Sequence, residues 1–230
     1  MTRATIKRRI RAELSRLRVA ARQPIVIAAL RHPESKSLLR LAGIAPDVAG
    51  ARRVEVGSGA LPRPGYIHVD YDGSLPDLQL RAGADHLPVP ADWATEVLAI
   101  HVLEHMPPPL LASTLNEWRR VLKPGGVLEV HVPNGLAIAR QLAETTDTDQ
   151  FWRLQNAIFG YWVGPDTTEP TDFLAAPDHK TLFTPSLLTE ALLDSGFRDV
   201  EDVSGTIECR HQTGWSATIP GLCLEFTARK

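Results

Sequence analysis

Val54-Glu55-Val56-Gly57-Ser58-Gly59, followed by Tyr66-Ile67-His68-Val69-Asp70, decides the fold of this 230-residue chain. A short apolar strand closes on a Gly-x-Gly turn, and a second apolar strand then closes on an acid. Glycines after a strand let the backbone approach a ligand, because no Cβ stands in the way. A carboxylate at the tip of the next strand can accept hydrogen bonds from both hydroxyls of a ribose. The pair of features points to a nucleoside-containing cofactor on an open α/β sheet. Gly-x-Gly alone is common, so the text after it has to identify the cofactor.

Working outward, the pattern predicts strands over Arg53–Val56, Tyr66–Val69, Glu96–His101, Val127–Val132, Asp199–Ser204 and Leu222–Ala228. A short third strand leads into Asp85. Helices are expected over about Leu110–Leu122, from near Asn134, and over Pro185–Ser195. Lys123-Pro124-Gly125-Gly126 reads as a helix stop, a cation followed by breakers. Residues 146–182 read as irregular, with Pro165, Pro170 and Pro177 among several aromatics. Upstream, residues 3–22 read as an amphipathic helix with Ile6, Ile10, Leu14, Leu17 and Ala21 at helical spacing. A second helix is expected over about Ser35–Leu41. Alternating strands and helices imply a parallel sheet with right-handed crossovers. Ligands of such sheets bind beyond the carboxyl ends of the strands. Gly57–Gly59, Asp70, Asp85 and His101 all fall at predicted strand ends, so one pocket is expected to hold them.

Composition narrows the class. Apolar residues make up 43% of the chain and the net charge is −2, ordinary for a globular protein. The charge is uneven: residues 1–22 carry +7 and the remainder −9. A basic helix of this kind could meet an anionic surface, cover an active site as a lid, or simply lie solvated with one face packed. The acidic body and the lack of an aromatic-basic stripe argue against nucleic acid. No apolar run approaches the roughly 20 residues needed to span a bilayer. Peripheral membrane contact through the basic helix stays open. Cys209 and Cys223 lie far apart in no metal-like spacing, which suits two buried thiols in a reducing cytoplasm.

The order of motifs resembles that of the class I S-adenosylmethionine (SAM)-dependent methyltransferases. Glu55-Val56-Gly57-Ser58-Gly59 resembles the first motif of that family, and His68-Val69-Asp70 its second-strand acid. Ala84-Asp85-His86-Leu87-Pro88 resembles the adenine-contacting segment. Ile100-His101-Val102-Leu103-Glu104-His105-Met106 resembles the fourth-strand signature. Glu117-Trp118-Arg119-Arg120-Val121-Leu122-Lys123-Pro124-Gly125-Gly126 resembles the helix and turn before the fifth strand. The resemblance covers roughly residues 50–135 and extends more loosely to Phe183–Val200. It implies a Rossmann-like α/β fold with a seven-stranded, mostly parallel sheet and helices on both faces. The expected organisation is an N-terminal helical extension, 1–48, and a SAM-binding domain, 49–230, with a substrate-side insertion at about 146–182.

One departure matters. The family usually places a full helix between the first two strands, whereas only Ala60–Gly65 intervenes here and position 61 is Leu. This shortened crossover resembles a subgroup of predicted small-molecule and glycan methyltransferases. It weakens the helix-dipole contribution to the cofactor carboxylate, leaving more of that task to the amides of Ser58–Ala60.

The resemblance implies cofactor contacts from Glu55, Gly57, Ser58, Gly59, Asp70, Tyr71, Asp85, His86, Leu87 and His101. Asp72 competes with Asp70 for the ribose. Methyl transfer needs donor and acceptor held in line and often a base for the acceptor. His101 at a strand end and His179 before Phe183 are the candidate bases, since imidazole accepts a proton near neutral pH. His105, Trp152, Tyr161 and Trp162 are candidate acceptor contacts, with Phe159 beside them. His101-Val102-Leu103-Glu104-His105 also spells H-x-x-E-H, a zinc-protease helix pattern. Val97–His101 reads as strand and Met106-Pro107-Pro108-Pro109 closes the segment, so no metal is expected.

The function expected is transfer of a methyl group from SAM, leaving S-adenosylhomocysteine, to a hydroxyl of a sugar or small natural product. The competing reading is a SAM-binding or partner subunit that keeps the fold without catalysis. NAD-dependent redox chemistry is disfavoured because G-x-G-x-x-G spacing is absent. The oligomeric state is left open.

Overall fold

The structure, a computed structural model, describes residues 3–59, 62–75, 77–160, 178–205 and 221–230. Its helices are α1 (Arg3–Arg31), α2 (Lys36–Ala42), α3 (Pro46–Ala51), α4 (Pro108–Val121), α5 (Gly135–Glu144), α6 (Thr148–Phe159) and α7 (Pro185–Asp194). Its strands are β1 (Arg53–Val56), β2 (Ile67–Asp70), β3 (Leu80–Arg81), β4 (Ala94–Ile100), β5 (Leu122–Pro133), β6 (Arg198–Asp202) and β7 (Cys223–Arg229). The seven strands follow the order β3-β2-β1-β4-β5-β7-β6. The expected α/β architecture is therefore present.

Two compact units divide the chain, and β5 runs through both. One comprises Met1–Ile100, Ser113–Glu129 and Arg229–Lys230, the other His101–Ala112 and Val130–Ala228. In the first unit, β1 pairs in parallel with β2 and β4, with Val54 opposite Ile67 and Val97. These strands carry apolar residues on both faces, as buried parallel strands must. Val54, Val56, Ile67, Val69, Val97 and Leu98 are almost wholly buried. Between Val56 and Ile67 no helix occurs among the described residues, in keeping with the shortened crossover.

In the second unit, Asn134 N–H donates to Leu222 O at 2.8 Å, and in the first Gly125 N–H donates to Lys230 O at 3.2 Å and Lys230 N–H to Gly126 O at 3.0 Å. Those pairings at opposite ends make β7 antiparallel to β5. Arg198-Asp199-Val200-Glu201-Asp202, at the sheet edge, is mostly exposed, and its charges discourage edge-to-edge pairing. A small core of Ile138, Leu154, Ala157 and Leu222 packs α5 against α6.

Several boundaries differ from the sequence reading, each for a physical reason. Helix α1 continues through Pro24 to Arg31, where the sequence suggested a stop near residue 22. Pro24 forfeits one helical N–H, but Val26, Ala29 and Leu30 are buried and hold the second half in place. Gln23 Oε1 and Ser15 Oγ bond the backbone of Arg81 and Leu75, at 3.0 and 3.2 Å. In the first half, three apolar side chains stand in solvent: Ile10, Leu14 and Leu17 are 53–61% exposed. The short helix α3, started by Pro46, was not foreseen. Lys123-Pro124-Gly125-Gly126 does not only stop α4 but opens β5, because the Lys230 backbone pairs with the glycines. The segment expected to be irregular contains α6, capped by Asp147, whose carboxylate accepts from Gln150 N–H at 2.8 Å. Cys223 is a buried thiol; Cys209 lies outside the described residues. No described helix is long and apolar enough to cross a membrane.

Candidate functional site

In the first unit, the Gly57–Gly59 turn is held over the end of β2. Gly57 and Ser58 N–H both point at Val69 O, at 2.8 and 3.3 Å. Gly57 and Gly59 sit at φ 66° and 59°, in the left-handed region that disfavours a Cβ. A Cβ on Gly59 would meet nothing within 4 Å, so the space above the turn is open. Asp70 joins turn and strand. Its Oδ2 accepts from Gly59 N–H at 3.0 Å and its Oδ1 from Asp72 N–H at 2.9 Å. Asp72 instead caps its own turn, accepting from the N–H and hydroxyl of Ser74.

Glu55 is 2% exposed, and its carboxylate is engaged by Arg63 through N–H and guanidinium, at 2.8 and 2.9 Å. Local donors thus occupy the oxygens that the family resemblance directs to the methionine ammonium. Tyr71 follows β2 and is 64% exposed.

Asp85 and His86 are exposed and Leu87 is buried. Their segment is clamped from α4. Leu87 N–H donates to Glu117 Oε1 at 2.6 Å, and Trp118 Nε1–H to Ala84 O at 2.9 Å. Arg120 donates to Leu87 O and Val89 O at 3.0 Å and to both Glu117 oxygens. Burial works against the Glu117 charge, yet Arg120 and the Leu87 N–H together hold its carboxyl below the ordinary range. The Glu-Trp-Arg-Arg motif is thus a brace for the 84–89 segment, a role its sequence spacing did not reveal.

Glu117→Ala leaves Arg120 and the Leu87 N–H without their acceptor. It is expected to cost about 1–3 kcal/mol of stability and to weaken SAM binding by about tenfold. Urea unfolding and calorimetric titration check the two effects. Unchanged affinity would mean that the clamped segment does not touch the cofactor.

In the second unit, three histidines gather on one acid. His101 follows β4 at φ 55°, a strained conformation for a residue with a Cβ. Its N–H donates to His131 O at 3.0 Å, which holds the strand end in register with β5. Its Nδ1 lies 2.9 Å from Glu104 Oε1. Glu104 is only 1% exposed and sits in a single 3₁₀ turn, Leu103–His105. His179 Nε2 lies 3.9 Å from the same oxygen. The His105 and His179 rings meet edge to face, centroids 4.9 Å apart.

The 178–181 segment is tied to this turn. Lys180 and Thr181 N–H donate to Glu104 O at 2.7 and 3.1 Å, and Thr181 Oγ1–H to Met106 O at 2.8 Å. His179 Nδ1 bonds Ala157 O at 3.0 Å, and a Cβ on Gly160 would run into its ring. Burial lowers the His179 pKa against the pull of Glu104, which favours the neutral imidazole. The H-x-x-E-H helix is absent, because β4 ends at Ile100 and only Leu103–His105 turn helically.

Glu104 is the residue the sequence reading left without a role. The three-residue step from His101 was its one signal, hidden inside a family motif. Trp152 on α6 is 57% exposed and packs edge to face on Phe151. Tyr161 and Trp162 lie outside the described residues.

Residues 65–130 match the family model described as a methyltransferase domain. No curated protein matches the chain. Among solved structures, a SAM-dependent methyltransferase from Thermotoga maritima is 15% identical, covering 90% of this chain and 98% of that one, with a TM-score of 0.48. One from Mesorhizobium loti is 19% identical over 85% of this chain and 98% of that one, with a TM-score of 0.46. One from Archaeoglobus fulgidus is 17% identical over 85% and 92%, with a TM-score of 0.47.

Proposed function

We propose that this chain is a SAM-dependent class I methyltransferase, a reading supported by the methyltransferase-domain match over residues 65–130, and that the methyl group goes to a hydroxyl of a sugar or small natural product. The observation that carries the acceptor class is the His101–Glu104 pair. A hydroxyl is a poor nucleophile until its proton is taken, and an imidazole oriented by a buried carboxylate is built to take it. An Nδ1–H donated to Glu104 leaves the basic lone pair of His101 on Nε2. A hydroxyl deprotonated in this way would be the nucleophile for the methyl group. SAM, when bound, would supply the methyl group and leave as S-adenosylhomocysteine, and His101 would take the hydroxyl proton. The exposed indole of Trp152 suits stacking on a sugar ring. His179 is the second candidate base, and its neutral ring is compatible with that role.

On the cofactor side, the reading assigns the methionine carboxylate to the amides of the Gly57–Gly59 turn and the ribose to Asp70. A carboxylate offers about four lone-pair positions, and backbone donors take only one on each Asp70 oxygen. Asp85, His86 and Leu87 are proposed to contact adenine. Glu55 is proposed near the methionine ammonium as a charge whose hydrogen bonds Arg63 already occupies.

Titration calorimetry with SAM and S-adenosylhomocysteine is the first test. Asp70→Ala removes a charged acceptor and releases the Gly59 N–H, and is expected to weaken SAM binding at least 100-fold, about 2.7 kcal/mol. Equal binding by wild type and variant would remove Asp70 from the site. A wild type that binds is then offered hydroxyl, amine and carbon acceptors with methyl-tritiated SAM. Transfer only to amine or carbon acceptors would overturn the hydroxyl assignment. A wild type that binds no SAM would put the non-catalytic reading ahead.

A further inference from the structure

We propose that Glu104, His105 and His179 form a binding site for a divalent first-row transition-metal cation. Sequence spacing led to the expectation of no metal, because the H-x-x-E-H helix does not form. The cluster arises differently: His179 comes from a segment more than 70 residues downstream and is folded back onto the 3₁₀ turn. One ligand atom from each of the three side chains lies within 4.8 Å of the others.

Three independent features favour a cation. First, the tautomers are set. His105 Nδ1 faces Asp178 O at 3.2 Å, and His179 Nδ1 faces Ala157 O at 3.0 Å. A carbonyl only accepts, so both protons sit on Nδ1 and both Nε2 atoms keep their lone pairs. That is the outer support metal-binding histidines require. Second, Glu104 Oε2 is buried and no described donor reaches it, while Oε1 is taken by His101. A buried carboxylate oxygen without a donor is costly, and a cation removes that cost. Third, the ligand atoms are already gathered. Ligands about 2.1 Å from a cation stand roughly 3.0–3.4 Å apart, and one atom from each of the three side chains lies within 4.8 Å of the others, a spacing that side-chain rotation can close.

Two imidazoles and one carboxylate suit zinc, cobalt, iron or manganese better than calcium or magnesium. Three protein ligands leave coordination positions open, where the cation would polarise an oxygen of a bound small molecule. The site stands without the methyltransferase reading, since its evidence is side-chain geometry alone.

The test is titration of the metal-stripped full chain with Co²⁺, followed by visible absorption. Wild type is expected to bind one equivalent with nitrogen- and oxygen-ligand bands. His105→Asn and His179→Asn are each expected to weaken binding at least tenfold. His105 is part-exposed, so its variant should fold, and an unchanged thermal transition without metal verifies that. No stoichiometric binding by wild type, or undiminished binding by folded His105→Asn, overturns the site. So does a thiolate charge-transfer band, which would place the ion at the separate buried group of His131, Cys223 and Glu225.

Discussion

His101→Ala is expected to lower turnover about 10²–10³-fold, with SAM affinity changed no more than about twofold. The effect should fall on kcat, because the role proposed for the imidazole is to take the acceptor proton. Two features make His101 the first choice over His179. Its Nδ1 contact with the fully buried Glu104 sets the tautomer at 2.9 Å, while His179 stands 3.9 Å from the same oxygen. Its backbone is also held at positive φ at the end of β4, and strain of this kind tends to be kept where geometry serves function. Added imidazole should restore part of the lost activity, which a merely structural role would not allow. Glu104→Gln should reproduce a smaller loss, since a neutral amide orients the ring without stabilising its cationic form. The readout is transfer of tritiated methyl to the acceptor found by screening. Wild-type turnover in His101→Ala would remove the base assignment.

Trp118→Ala is expected to cost about 3–5 kcal/mol of stability, the range for deleting a large buried aromatic. The side chain is fully buried on α4, and its indole N–H satisfies Ala84 O. The variant therefore opens a cavity and leaves the half-buried Ala84 carbonyl without its donor. Against a typical total of about 5–15 kcal/mol, the loss should bring the chain near its folding threshold. Trp118→Phe keeps most of the volume and loses the hydrogen bond, and should cost roughly 1–3 kcal/mol. Urea unfolding measures both. A loss below 1 kcal/mol for the alanine variant would mean the helix is not held through this residue.

Both predictions rest on residues inside sequence motifs, and they show what motifs convey. Glycines at 57 and 59 announce a positive φ, and alternation of apolar strands with helices announces a parallel sheet. These are local properties, written in neighbouring letters. The motif Glu117-Trp118-Arg119-Arg120 was visible as letters, but its partners, the carbonyls and N–H groups of residues 84–89, lie about 30 positions away. No periodicity points across such a gap.

Element ends follow the same division. Asn134, Asp147 and Thr184 cap α5, α6 and α7 through side chains that accept N–H groups three residues on, so those starts are local chemistry. The run of α1 through Pro24 is not, because it depends on burial of Val26, Ala29 and Leu30. Nor is the entry of Lys123–Gly126 into β5, which depends on backbone pairing with Lys230.

The α/β class, the glycine turn with its acid, and the chemistry on offer were legible in the letters alone. Short-range patterns encode these, since each follows from φ preference, capping or alternation over a few residues. Only the tertiary structure decided that Arg63 occupies Glu55, that Glu117 and Arg120 brace the 84–89 segment, and that His101, His105 and His179 converge on Glu104. Those facts depend on which distant backbone donors and acceptors meet once the core is buried. A buried charge takes whatever partner the fold delivers to it.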